Sequence, residues 1–128
     1  MINIIKNLIN NVRILRINLD EISFRNGCSH FQLMKSLYPN IKNLSEVYYK
    51  IYSQNGEDGI IDYLLFSLNI KTPKFIEIGI ETYRECNTRF LFERTAPEGL
   101  VIDYLTDLEI HVKKYEHFDS IYKQKKNF

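Results

Sequence analysis

The 128-residue chain is 45% hydrophobic and 26% charged, the size and balance of one soluble globular domain, which excludes a disordered polymer. Lys and Arg number 17 against 16 Asp and Glu, so the net charge of +1 gives no chain-wide field for capturing nucleic acid. The charge is unevenly placed: residues 1–50 hold seven basic and three acidic side chains, and residues 51–128 hold ten and thirteen.

From the N-terminus, Ile4, Ile5, Leu8, Ile9, Val12 and Leu15 recur at helical intervals, and Lys6, Arg13 and Arg16 are the only charges before Asp20. This pattern predicts an amphipathic basic helix over residues 1–16. Asn and charge interrupt it too often for a bilayer span, and no small-residue cleavage site marks a secretory signal. It packs on its own domain or makes weak contact with an anionic membrane surface.

Residues 20–28 read as irregular. Ser29 then caps a short helix with Phe31, Met34, Leu37 and Tyr38 on its apolar side, stopped at Pro39, and residues 40–46 form a polar loop. In "VYYKIYSQNGEDGIIDYLLFSLNI", Ser53 or Asn55 caps a helix whose positive end is met by Glu57 and Asp58. Its buried stripe is Ile60, Ile61, Leu64, Leu65 and Leu68.

Lys71-Thr72-Pro73 turns into a strand at 74–80, an apolar run broken by Glu77 and Gly79. Thr82 and Glu85 have the spacing of a capping box, which starts a helix near Tyr83 that runs to Arg94, before Pro97. "GLVIDY" is a second strand, at 99–103, and Leu105, Leu108, Val112 and Tyr115 continue at helical spacing. Strand, helix, strand, helix predicts two parallel strands joined by a crossover, half of a Rossmann-like α/β sheet. The chain divides into a helical extension, 1–49, and an incomplete domain, 50–128. The basic tail "YKQKKNF" reads as a frayed end.

Cys28 and Cys86 are far apart, so neither a disulfide framework nor a zinc site is expected. The Cys28-Ser29-His30 run has no further ligands, His111 and His117 lack ligand spacing, and no metal is expected. Free thiols fit a reducing compartment, hence a cytoplasmic location.

Ligands of open parallel sheets sit beyond the carboxyl ends of the strands. Both strand ends here carry acid: Glu77 before Gly79, and Asp103 26 residues after Glu77. That separation suits a carboxylate accepting hydrogen bonds from the two hydroxyls of a ribose, and the alternative for Asp103 is a plain helix cap.

"YSQNGEDGIIDYLL", "FIEIGIETYRECNTRFLFE" and "GLVIDY" together resemble the opening of the FkbM-type methyltransferases, over roughly residues 50–116. Ser53, Gln54, Gly56, Glu57 and Asp58 match the family's first motif, and Glu77, Gly79, Glu81, Glu85, Cys86, Asn87, Thr88 and Arg89 its second. The resemblance implies a class I methyltransferase fold and S-adenosylmethionine as cofactor, with transfer of a methyl group to an oxygen of a sugar or polysaccharide precursor. It assigns Glu77 and Gly79 to the methionine part and Asp103 to the ribose, and counts Glu81 among the cofactor-binding residues. Asn87 to Arg89 shape the loop, and Gln54 and Asp58 line the pocket unless Asp58 is a structural cap. Arg89 touches substrate or pairs with Glu85. Where the family carries aspartate and glycine, this chain has Thr82 and Tyr83, a departure that weakens cofactor binding unless Tyr83 stacks on the adenine.

One wing of the domain is expected here, and no convincing third strand follows residue 116. Three readings follow: a truncated methyltransferase-like chain with half the cofactor site and little activity alone, an enzyme completed by another chain, or a noncatalytic interaction module. The last uses the helical N-terminus and self-associates through an exposed sheet edge.

Overall fold

The computed structural model describes residues 2–80 and 83–102. A single helix, α1 (Ile2–Leu37), makes up the N-terminal part and is followed by single 3-10 turns at Tyr38–Asn40 and Leu44–Val47. Helix α2 (Glu57–Ser67) leads to strand β1 (Lys74–Ile78), helix α3 (Arg89–Thr95) and strand β2 (Glu98–Ile102).

Residues 20–28, expected to be irregular, are helical, and α1 runs through them without a break. The segment turns Glu21, Ile22, Arg25 and Asn26 outward and places Asp20, Phe24 and Gly27 on one side, three and four residues apart, and that side meets the rest of the domain. Gly27 is buried because a Cβ there would come within 2.8 Å of both Ile51 and Phe90. Ser29 does not cap anything; its hydroxyl donates back to the Arg25 carbonyl at 3.1 Å, as mid-helix serines do. The stop at Pro39 holds, since α1 gives way to the 3-10 turn that contains it.

Helix α2 is present with an inverted face. Asp58, Gly59 and Asp62 are buried, while Leu64 and Leu68, expected in the core, are 42% and 66% exposed. The cause is close backbone contact: a Cβ on Gly59 would lie 1.9 Å from the Val47 carbonyl oxygen, so α2 rests on the 47–49 segment through its one residue without a side chain. The Gly59 amide donates to the Tyr49 carbonyl at 3.3 Å across this contact.

The two strands are parallel, in the register Lys74↔Glu98 through Ile78↔Ile102, and α3 makes the crossover between them. Phe75 lies across Gly99 and meets Phe92 of α3 edge to face, joining a small core of Ile80, Tyr83, Cys86 and Phe92. The other sheet face is bare among the described residues: Ile76, Ile78, Leu100 and Ile102 are between 44% and 74% exposed. Parallel sheets are ordinarily covered on both faces.

What binds the helices to one another is largely polar. Arg94 of α3 pairs with the buried Asp62 of α2, and its guanidinium lies over the Phe31 ring of α1 at 3.8 Å. Tyr49 donates to the second Asp62 oxygen at 2.5 Å. Arg89 stacks on Tyr52 at 3.6 Å and pairs with Glu93 at 2.8 Å and with Asp20 of α1 at 3.2 Å.

Burial pushes the Asp62 carboxyl from its ordinary 3.8 up to about 6, against the pull of Arg94. An acid whose pKa rises on folding contributes stability that is present below the unfolded value and lost as pH rises through the folded one. Urea denaturation of wild type and Asp62→Asn tests this. The stability difference, wild type minus variant, should fall by up to about 3 kcal/mol between about pH 4 and about pH 6.5 and stay level above. A difference that grows over this interval would show that Arg94, not burial, sets the titration.

Candidate functional site

The end of β1 and the loop behind it bring three predicted residues together: Glu77, Gly79 and Asn87. Gly79 follows the strand with φ +77, in the left-handed region that glycine enters without strain, and its amide donates to the Ile102 carbonyl at 2.9 Å. A Cβ built there would meet nothing within 4 Å among the described residues.

Glu77 turns inward. One carboxylate oxygen accepts the Asn87 amide at 2.8 Å; the other accepts the Thr88 amide at 3.0 Å and the Thr88 hydroxyl. These donors belong to the turn entering α3, so Glu77 acts as a cap supplied from a strand, satisfying amides that the helix itself leaves unpaired. The helix accordingly starts at Arg89, not near Tyr83, with Thr88 at its N-cap position. The expected Thr82–Glu85 box does not set that start: Glu85 pairs with Lys50 at 2.9 Å, and Thr82 lies outside the described residues.

Tyr83 has φ +57 and is buried, its ring against Phe92 and its hydroxyl 3.2 Å from the Thr88 hydroxyl. The ring is a core element and is not placed to stack on an adenine. Burial, ahead of every other influence, raises its phenol above the ordinary range. The backbone there nevertheless keeps the left-handed turn that glycine would take at no cost. A non-glycine residue pays about 1 kcal/mol for it.

Gln54 is exposed on the loop before α2, and its carbonyl accepts from the Lys50 ammonium at 3.1 Å. Since Lys50 also holds Glu85, this loop is tied to the 83–88 loop. Asp58, one of the two roles left open for it, is a structural cap: one oxygen accepts the amides of Ile51, Tyr52 and Ser53 at 2.7–2.9 Å and the Ser53 hydroxyl at 2.9 Å. The Ser53 hydroxyl in turn accepts the Asp58 amide at 3.2 Å, while Gly56, in the left-handed region, occupies the N-cap position. Glu81 and Asp103 lie outside the described residues, as does the helical pattern from Leu105 onward. The parallel pairing on which the placement of Asp103 beside Glu77 depends is present.

Arg89 pairs with Glu93 and Asp20, not with Glu85, and is 8% exposed. It also forms one wall of a cavity of about 260 Å³ where α1 meets the 50–52 and 84–85 segments. Arg16, Lys50 and Arg84 join Arg89 there against Asp20 and Glu85. The Arg84 guanidinium is held below its ordinary value by burial and by the neighbouring Arg16. No sequence pattern marks this cavity, because its residues come from three segments that only the continuous α1 brings together. Among the described residues, no group of three or more His, Cys, Asp or Glu side chains converges as metal ligands would, and no helix is long and apolar enough to cross a membrane.

No family model, no curated protein and no solved structure matches the chain.

The Glu77 geometry separates a cap from a ligand contact. Glu77→Ala leaves two amides and a hydroxyl without their acceptor and should cost about 1–3 kcal/mol in urea denaturation, with Glu77→Gln losing less because one acceptor oxygen survives. A Glu77→Ala protein as stable as wild type would return this carboxylate to the ligand.

Proposed function

We propose that the chain carries part of the cofactor half of an S-adenosylmethionine-dependent methyltransferase of the FkbM type, on an incomplete Rossmann-like sheet, with little activity alone. The observation that carries this reading is the open, left-handed Gly79 at the carboxyl end of β1 in a parallel β1–α3–β2 unit, the place where ligands of open α/β sheets bind. The left-handed Tyr83, standing where the FkbM pattern has glycine, supports it further.

The described residues fit the cofactor in part. Gly79 supplies room and backbone polarity, and the exposed Asn87 and Gln54 supply polar side chains. Glu77, with both oxygens engaged by the α3 turn, serves the site by holding Asn87 in place. Ribose recognition falls to Asp103. When bound, S-adenosylmethionine supplies an electrophilic methyl group, and the acceptor in this reading is an oxygen of a sugar or polysaccharide precursor. The bare sheet face formed by Ile76, Ile78, Leu100 and Ile102 fits a sheet whose second covering layer comes from outside the described residues.

That same face, and the sheet edges beside it, favour a second reading: a noncatalytic interaction module. Calorimetric titration of the full chain with S-adenosylmethionine decides between them. The methyltransferase reading expects saturable heat that weakens about tenfold, or about 1.4 kcal/mol, in Asp103→Asn, with an unchanged circular dichroism spectrum. Absence of heat from the folded chain at millimolar cofactor leaves the interaction module.

A further inference from the structure

We propose that α1 is the dimerisation element of this protein, pairing with α1 of a second copy as a parallel two-stranded coiled coil. Over residues 2–15 of the helix, the apolar side chains are exposed among the described residues. Ile5, Leu8, Val12, Leu15, Leu19 and Ile22 follow one another at alternating steps of three and four residues, the spacing of the a and d positions of a heptad. All six are between 51% and 63% exposed.

The seam is not the side on which α1 docks. Asp20, Phe24, Gly27 and Phe31 face the domain, and at 100° per residue they lie on the order of 120° around the helix from Leu19, Ile22, Asn26 and Leu33. The two sides adjoin on one flank, where Arg16 and Ser23 also line the domain cavity. In a parallel pair related by a two-fold axis the two domains project to opposite sides.

The seam also specifies what covers it. β-Branched Ile5 and Val12 at a, with Leu8 and Leu15 at d, favour two strands in the first two heptads, whereas Leu19 at a with Ile22 at d in the third carries the reverse pattern. The next a position is Asn26, exposed in this chain, and a lone asparagine there pairs with its own copy and fixes a parallel, in-register arrangement. In that arrangement the flanking positions meet as Ile4 with Ile9, Asn11 with Arg16 and Asn18 with Ser23 of the other copy. No like charges are opposed. The seam from Ile5 to Ile22 is about 26 Å long. Six side chains on each helix, each offering on the order of 100 Å², reach the roughly 1,000 Å² needed for specific association. The alternative occupant, an anionic membrane surface, would exploit Lys6, Arg13 and Arg16, which sit on one flank of the seam only.

Light scattering on the full chain at micromolar concentration is expected to give twice the 15.3 kDa chain mass. Leu15→Asp, on the seam, should give the monomer mass, whereas Ile17→Asp, off the seam, should stay dimeric. Orientation is read by cysteine cross-linking in a Cys28→Ser background. Val12→Cys should oxidise to a covalent dimer and Ile14→Cys should not. A monomeric wild type overturns the proposal, as does a dimer that survives Leu15→Asp or fails to cross-link through Val12→Cys. A chain that is monomeric in solution and floats with vesicles containing anionic phospholipid assigns the stripe to a membrane surface instead.

Discussion

Two buried guanidinium groups on one short helix set the arrangement of everything around them. A charge taken out of water is costly unless an anion and hydrogen bonds meet it. Helix α3 carries two such charges, Arg89 and Arg94, at positions where neither is more than slightly exposed. Arg94 draws Asp62 to it and so turns α2 with its acidic side inward and its leucines outward. Arg89 draws Asp20 from α1 and stacks on Tyr52, which fixes where the long helix crosses the domain. The apolar core is correspondingly small, and the helices meet more through ion pairs and stacked rings than through interlocking aliphatic side chains.

Carboxylates serve as the fasteners of the loops in the same way. Asp58 gathers three consecutive amides of the 51–53 loop, and Glu77 gathers two at the entry to α3. The second of these loops follows directly on the end of β1. Two acids expected to touch a ligand, Glu77 and Asp58, thus hold backbone in place, while the Asn87 and Gln54 side chains are exposed.

The strands were readable from sequence because alternation and β-branching are local signals: Phe75 to Ile78 and Leu100 to Ile102 carry them, and the helix between dictates parallel pairing. Helix α2 was readable as an element from its capping run but not in its orientation. The apolar stripe from Ile60 to Leu68 obeys helical periodicity, and nothing local reveals that Asp62 will find an arginine 32 residues later. The continuity of α1 was hidden for a similar reason. Residues 20–28 lack an apolar stripe of their own, and Gly27 is required by the close approach of Phe90 and Ile51. Glu77 shows the limit for a site. An acid at a strand end has the same appearance whether it awaits a ligand or caps the next helix, and only the positions of Asn87 and Thr88 distinguish the two.

The contact between Gly59 and the Val47 carbonyl couples two segments that sequence separates. Because hydrogen alone fits between them, α2 cannot shift along or rotate against the 47–49 segment without parting from it altogether. The helix and the preceding turn therefore open as one cooperative unit, and amide protons on both sides of the junction share a single opening event, with the Gly59 amide among them.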